Sequence, residues 1–175
     1  TPTSIEGDPS WSNDGNTIVF DSLDMVTTRF VLKTMDTNGN NVQTVYDGGA
    51  GIEIPGVWED GNFDPSWSPD DEWIVFERAT QYTDADPENF GSGIWHIFKV
   101  RRNGADVTDL SIAGGHTISA EYYPSFSPDG QSIVFGSIHE AAIPTQSYAD
   151  IFTMDTNGGS LTRLTNNPAS DMSPV

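Results

Sequence analysis

Three carboxylates alternate along a short stretch near the middle of the chain, where Asp84, Asp86 and Glu88 are each separated by one residue. Oxygen ligands at alternate positions are the way in which a calcium-binding loop begins. The pattern then stops, because Asn89 stands where such a loop has its glycine and Trp95 where it has its closing glutamate. Calcium is therefore the candidate ion for this loop, and only the first half of the calcium-binding motif supports it.

A second set of carboxylates is registered by a repeated motif. Glu6 and Glu121 stand three residues before a repeated proline, and Asp8 and Asp64 stand one residue before it. Alternate residues of a β-strand share a side of the strand, and clustered carboxylates repel unless they are hydrogen-bonded, screened or bridged by a cation. If the repeats are arranged around a channel, these four residues are expected to meet at one mouth and to hold a cation, with calcium as the candidate.

The motif itself is written three times and begins a fourth time. Its copies open at Pro9, Pro65, Pro124 and Pro174, roughly every 50 to 60 residues. Each complete copy contains four short runs of β-branched and aromatic residues, and an Asn-Gly pair separates the third run from the fourth, which is a strong hairpin signal. Each copy is thus predicted to be a four-stranded antiparallel meander, and no segment shows convincing helical periodicity.

These meanders are predicted to stack as blades of a β-propeller, since one meander cannot bury both of its faces alone. The fold class is then all-β, with about three blades at residues 5–60, 61–120 and 121–170. Residues 171–175 would be the first strand of a further blade or a latch strand. Trp11, Trp67 and Phe126 occupy one repeat position, which predicts that they pack in the core between neighbouring blades.

The repeated residues resemble the TolB-like β-propeller repeat over essentially the whole chain. The resemblance rests on Pro-Ser-Trp/Phe-Ser-Pro-Asp-Gly, then Ile-Val-Phe, then Ile-Phe-x-Met-Asp-x-x-Gly and Leu-Thr, and the third copy follows this pattern most fully. The first copy departs from it at Asn13, and the second at Asp71 and at Arg101-Arg102. Such repeats occur in periplasmic TolB, in bacterial surface proteins, in some polysaccharide lyases and as the gating propeller of prolyl-oligopeptidase-like peptidases. The resemblance implies a propeller but does not fix a function.

Charge and composition limit the classes of molecule that the chain is expected to bind. The chain has 26 acidic and 7 basic residues and a formal net charge of −19, which disfavours nucleic acid and anionic membranes. It has no cysteine and no apolar run of the roughly 20 residues that a membrane helix needs. With 35% hydrophobic and 11% aromatic residues it is expected to be globular. The acidity fits a solvated surface, adaptation to salt, or cation binding, and these alternatives stay open.

Catalysis has little support in the residue pattern. There is no Gly-x-Ser-x-Gly nucleophile motif. His96, His116 and His139 do not share a repeat position, so each is expected to be structural or exposed rather than part of a histidine site. The chain is therefore predicted not to be an enzyme.

Protein contacts are expected at the connections and at the end of the chain. Trp58 and Tyr82 lie in or beside long connections, and Pro174 and Val175 could add to a sheet edge in another chain. The predicted function is a non-enzymatic scaffold for protein–protein contacts in the periplasm, on the cell surface or in the secreted fraction. The partner would be another protein or further copies of this chain. The alternatives are a self-assembling ring or filament subunit, and the accessory propeller of a peptidase or carbohydrate-active enzyme.

Overall fold

The computed structural model of the chain describes residues 4–24, 29–48, 61–82, 93–116, 120–138, 149–166 and 169–174. The first repeat contains β1 (Ser4–Trp11), β2 (Thr17–Asp24), β3 (Arg29–Asp36) and β4 (Gln43–Tyr46). The second contains β5 (Asn62–Trp67), β6 (Trp73–Tyr82), β7 (Gly93–Arg101), β8 (Thr108–Asp109) and the helix α1 (Leu110–Gly114). The third contains β9 (Ala120–Phe126), β10 (Ser132–Ile138), β11 (Ala149–Asp155) and β12 (Thr162–Arg163).

The strands pair as antiparallel meanders within each repeat, so the predicted all-β class is confirmed. The backbones of neighbouring repeats are joined by parallel β-bridges. Phe30 pairs with Gly61 between the first and second repeats, and Trp95 pairs with Ala120 between the second and third. At the equivalent place after the third repeat, the backbone N–H of Asp171 donates to the carbonyl of Ala149 at 2.7 Å. The last described residues therefore lie against the third repeat as the first strands of the second and third repeats lie against their predecessors.

A Ser-x-Asp sequence builds the turn between the first two strands of every repeat. The serine hydroxyl donates to the aspartate carboxylate at 2.7 Å in Ser12–Asp14, 2.5 Å in Ser68–Asp70 and 2.6 Å in Ser127–Asp129. Local bonds of this kind favour turns over regular structure. The turn sequence thus sets where each hairpin reverses.

Asp71, which departs from the repeat pattern, ties two repeats together. It adopts a left-handed backbone with φ of 59° in place of the usual glycine. Its carboxylate accepts the backbone N–H groups of Asn13 at 2.5 Å and Asp14 at 2.9 Å. The left-handed backbone of Asp71 is strained. Its side chain compensates by accepting two hydrogen bonds, which hold the turn of the first repeat against the turn of the second.

The core lies between repeats. One cluster joins the first and second repeats, and the other joins the second and third. The first consists of Val19, Leu32, Trp67, Ile74, Phe76 and Val100. The second consists of Val75, Ile97, Leu110, Ile133, Phe135, Phe152 and Met154, with Phe126 packed against it.

The core prediction holds for Trp67, which is 7% exposed, and for the partly buried Phe126. It is wrong for Trp11, which is 59% exposed. Trp67 and Phe126 each face the preceding repeat, and no described residue covers the corresponding face of the first repeat.

A short helix follows β8, although the sequence showed no helical period. Asp109 caps it, because its carboxylate accepts the backbone N–H of Ile112 at 2.9 Å. Gly115 ends it in the left-handed conformation with φ of 68°. The caps at Asp109 and Gly115 therefore fix where this helix begins and ends, and the helix is too short to show periodicity in the sequence. In the described parts of the chain, helices are too short to cross a membrane.

Candidate functional site

The residues before the repeated prolines share an unusual backbone. Asp8, Asp64, Tyr123 and Ser173 have positive φ angles of 42°, 50°, 53° and 58°. Left-handed backbone is costly for residues other than glycine, and it concentrates where the fold or the function requires it. In β1, β5 and β9 the pairing register shifts at this point, so a β-bulge re-aims the side chains.

These four left-handed residues surround one open cavity of about 390 Å³, which we call the mouth. Each copy of the motif supplies to it its proline and the residue before that proline. The first three copies also supply the serine that follows. The lining residues are Asp8, Pro9, Ser10, Asp64, Pro65, Ser66, Tyr123, Pro124, Ser125, Ser173 and Pro174.

Two carboxylates behind the mouth extend its acidic character. Asp21 and Glu77 each follow the Ile-Val-Phe run of the second strand in their repeats. Asp21 forms a side-chain hydrogen bond with Asp8, and Glu77 forms one with Asp64. The mouth therefore carries two equivalent carboxyl pairs, one in the first repeat and one in the second.

Burial and mutual repulsion favour the protonated form of these groups. Burial, followed by the charge of Asp8, raises the pKa of Asp21 to about 7. The same two causes raise the pKa of Asp64 to about 6. Burial, followed by the charge of Asp64, raises the pKa of Glu77 well above its usual value. The cluster thus holds protons near neutral pH, because four adjacent carboxyl groups cannot all ionise at low cost.

Asp21 is the least satisfied member of the cluster. It is 1% exposed, and its Oδ1 receives no hydrogen bond from the residues that the structure describes. Gly7 makes room for it, since a Cβ at that position would lie 2.6 Å from Oδ1 of Asp21. A buried acceptor without a donor is expensive, so this oxygen marks a place where a cationic donor would be stabilising.

The third repeat interrupts the acidic pattern. Tyr123 stands where the first two repeats have Asp8 and Asp64, and Gly136 stands where they have Asp21 and Glu77. Burial and the charges of Asp64 and Glu77 raise the pKa of Tyr123, so its hydroxyl stays protonated. The mouth therefore has an acidic half, from the first two repeats, and a neutral half.

The structure places the predicted cation ligands in two groups. Asp8 and Asp64 line the mouth, as predicted. Glu6 lies exposed on β1 outside the lining, and Glu121 is fully buried in another network. Glu6 and Glu121 do not reach the mouth, because the bulge interrupts the alternation of sides on which their expected placement relied.

Glu121 belongs to a buried network beside α1. Its Oε1 lies 2.7 Å from Nδ1 of His116, and its Oε2 accepts a short hydrogen bond from the Ser111 hydroxyl. Nε2 of His116 lies 2.8 Å from the carbonyl of Gly158 in the third repeat. His96, at 2.8 Å from Asp109, is part of neither the mouth nor this network. His96 and His116 thus have structural contacts, as the sequence predicted.

The other candidate residues are placed as follows. Pro174 lines the mouth, and Tyr82 is the last residue of β6. The calcium-loop residues Asp84, Asp86 and Glu88 lie outside the described residues, as do Trp58, His139 and Val175. Within the described ranges, no three histidine or carboxylate side chains are arranged to hold a metal ion.

Comparison with known proteins gives the fold. No protein-family profile and no curated protein sequence matches the chain. Among solved structures, a putative TolB from Agrobacterium tumefaciens is similar, with 22% identity and a TM-score of 0.63, over 93% of this chain and 49% of that one. TolB from Acinetobacter baumannii has 18% identity and a TM-score of 0.62, over 93% and 33%. An oligogalacturonate lyase in complex with manganese has 14% identity and a TM-score of 0.58, over 94% and 43%.

The chain thus has the fold of TolB-like β-propeller proteins, as its repeat predicted. It spans half or less of the length of each of these structures. The similar structures include an enzyme as well as TolB, and a nidogen/laminin complex. This similarity shows the fold of the chain and does not show its function.

Proposed function

We propose that the protein is a non-enzymatic propeller scaffold, outside the cytoplasm, whose mouth binds a segment of a partner protein. The observation that carries this proposal is the convergence of all four copies of the motif on one open cavity. Repeated left-handed residues, each followed by a proline, hold the lining rigidly, and a preorganised surface loses less entropy on binding. A similar fold occurs in a nidogen/laminin complex, in which one protein binds another.

The mouth also suits a binding role chemically. It combines proline rings and a tyrosine with carboxylates and four serine hydroxyls. Apolar lining with a few placed polar groups is typical of ligand sites. Calcium, proposed from the sequence as a cofactor, remains a candidate occupant of the carboxylate half.

A peptide library displayed on phage would test the proposed function. The library would be panned against the purified protein, against Ser66→Tyr, which places a ring in the mouth, and against Thr37→Tyr, which adds the same ring at an exposed turn. We expect enriched peptides that bind the wild type and Thr37→Tyr but lose binding to Ser66→Tyr. Peptides that ignore Ser66→Tyr, or no enrichment, would contradict binding at the mouth.

A parallel assay tests the enzymatic alternative. The protein would be incubated with oligogalacturonides and with a peptide mixture, and the products would be followed by mass spectrometry. Turnover that survives purification would overturn the non-enzymatic assignment. Turnover only when a separate catalytic domain is added would favour the role of an accessory propeller.

A further inference from the structure

The acidic half of the mouth has a specific composition. Asp8 and Asp64 reach the cavity, and Asp21 and Glu77 stand behind them. Tyr123 is the titratable group that faces the cluster from the third repeat. The ionisable groups recorded in this cluster are thus four carboxyls and one phenol, with no cationic side chain among them.

The unpaired Oδ1 of Asp21 is a second, independent indication of a missing donor. The other deep carboxyl, Glu77, has such a donor, because its Oε2 accepts the backbone N–H of Tyr123 at 2.7 Å. Asp21 is one methylene shorter and has no equivalent partner on Oδ1 among the described residues. The two deep carboxyls therefore differ in hydrogen bonding: Oε2 of Glu77 accepts a backbone N–H from the next repeat, whereas Oδ1 of Asp21 accepts none from the described residues.

We infer that the mouth binds a lysine or arginine side chain of a partner peptide, with its charged group between Asp8 and Asp64 and its stem along the prolines. This inference rests on the proposed function, since it names the chemistry of the partner at that same site. Charge-assisted hydrogen bonds to Asp8 and Asp64 are enough to hold the charged end of a lysine or arginine. The negative potential of Asp21 and Glu77, when they are ionised, adds to the attraction.

The geometry favours a cationic side chain over a bare metal ion. A calcium ion takes six to eight oxygen ligands at about 2.4 Å, and no three described acidic or histidine side chains converge in that way. The cavity of about 390 Å³ is also far larger than an ion. Pro9, Pro65 and Tyr123 offer apolar surface to an aliphatic stem, which lysine and arginine bury readily.

Binding of such a group must displace protons. A cation beside a partly protonated carboxyl cluster favours the ionised forms. Since Asp21 and Asp64 titrate near neutral pH, the complex would release protons at about pH 6.5 and fewer at about pH 9, where these groups are already ionised. Affinity should then rise from acidic to neutral pH.

The test uses the whole chain and a capped trilysine peptide in about 150 mM NaCl, which screens weak surface attraction. Isothermal titration calorimetry in two buffers of different ionisation enthalpy gives both affinity and proton release. Asp8→Asn with Asp64→Asn removes two mouth charges. Glu72→Gln with Asp106→Asn removes two charges around Arg101 and is the control of equal net charge.

We expect the mouth variant to weaken trilysine binding by about tenfold or more, which corresponds to about 1.4 kcal/mol, while the control changes it by less than about twofold. Asp21→Asn should reduce the proton release, because it removes one of the groups that ionise on binding. Equal weakening in both double variants, or binding without proton release at about pH 6.5, would overturn the inference.

Two further results separate this inference from the proposed function. If library peptides selected at the mouth carry no lysine or arginine, the inference fails and the proposed function stands. Calcium chloride could instead bind to the wild type and not to the mouth variant, while trilysine binds to neither protein. The cluster would then be a metal site, and the inference fails. If trilysine binds as expected but no library peptide is sensitive to Ser66→Tyr, the proposed protein-binding function fails instead.

Discussion

Glu77 accepts, through its Oε2, a 2.7 Å hydrogen bond from the backbone N–H of Tyr123 in the next repeat. The contact crosses the boundary between the second and third repeats and fixes the left-handed residue that opens the third copy of the motif. Gly136, the equivalent of Glu77, lies beside Ser173, whose backbone nitrogen is 4.0 Å from the position of a Cβ on that glycine. The residue after Ile-Val-Phe therefore lies near the left-handed residue of the following copy in both cases.

Glu77→Ala and Glu77→Gln should separate the hydrogen bond from the charge. The alanine variant leaves the Tyr123 N–H without its acceptor, so we expect a loss of about 1–3 kcal/mol in the free energy of unfolding. The glutamine variant keeps an acceptor oxygen and removes no needed charge, since burial holds the pKa of Glu77 high, so its loss should be smaller. Urea melts at neutral pH measure both. Equal losses would show that the hydrogen bond is not the stabilising element.

The two tryptophans at one repeat position should respond differently to truncation. Trp67 is buried in the core between the first two repeats, so Trp67→Ala should cost roughly 3–5 kcal/mol, as for other buried large aromatic residues. Trp11 is mostly exposed, so Trp11→Ala should cost less than about 1 kcal/mol. Denaturant melts of both variants give the comparison. A loss at Trp11 as large as that at Trp67 would mean that its face is covered in solution.

The fold could be predicted from the sequence because the repeat places turn residues and strand residues at fixed offsets. The Ser-x-Asp turns and the meanders follow directly from such local signals. α1 could not be predicted, because it has a single turn and depends on the caps at Asp109 and Gly115. Exposure of Trp11 could not be predicted from the motif either, since burial depends on which neighbour covers a face.

Half of the candidate site followed from the sequence. Asp8 and Asp64 were found because they share one offset from the repeated proline. Asp21 and Glu77 were missed, although both directly follow Ile-Val-Phe and the shared acidity at that offset was a usable signal. Glu121 was misplaced because simple alternation holds only within an unbroken strand, and a bulge separates it from the proline.

Asp21→Asn should make stability less dependent on pH. The folded-state pKa of Asp21 is raised to about 7, and its unfolded value is about 3.9. Wild type therefore loses stability as pH rises between these values, by an amount on the order of 2 kcal/mol. An asparagine cannot ionise, so the variant should be more stable than wild type above pH 7, with the advantage shrinking towards about pH 4.

Asp36→Asn is the control of opposite sign. Hydrogen bonds from the backbone N–H groups of Asn40 and Asn38 lower the pKa of Asp36. That carboxylate contributes stability above its unfolded pKa and loses it as pH falls through its folded pKa. Thermal melts from about pH 3 to pH 9 should show the two variants diverging from wild type in opposite directions at neutral pH. Parallel shifts would contradict the burial of Asp21.

His116 should behave as a buried imidazolium that joins the second and third repeats. Both ring nitrogens face acceptors, the Glu121 carboxylate at 2.7 Å and the Gly158 carbonyl at 2.8 Å, so both nitrogens must donate. Burial alone would lower the pKa of His116, but the hydrogen bond and charge of Glu121 outweigh it and raise that pKa. A raised folded-state pKa contributes stability that is complete below the unfolded value of about 6.5 and is lost as pH rises through the folded value.

His116→Gln should therefore destabilise the protein most in acid, by on the order of 3 kcal/mol, because the Glu121 charge is left buried without its partner. The difference from wild type should shrink as pH rises towards about 9. His116→Gln with Glu121→Gln should recover part of the loss, since the double variant buries no charge. Denaturant melts of the three proteins across this range provide the measurement. A loss that is constant with pH, or a double variant no better than the single one, would show that His116 is packed as a neutral ring.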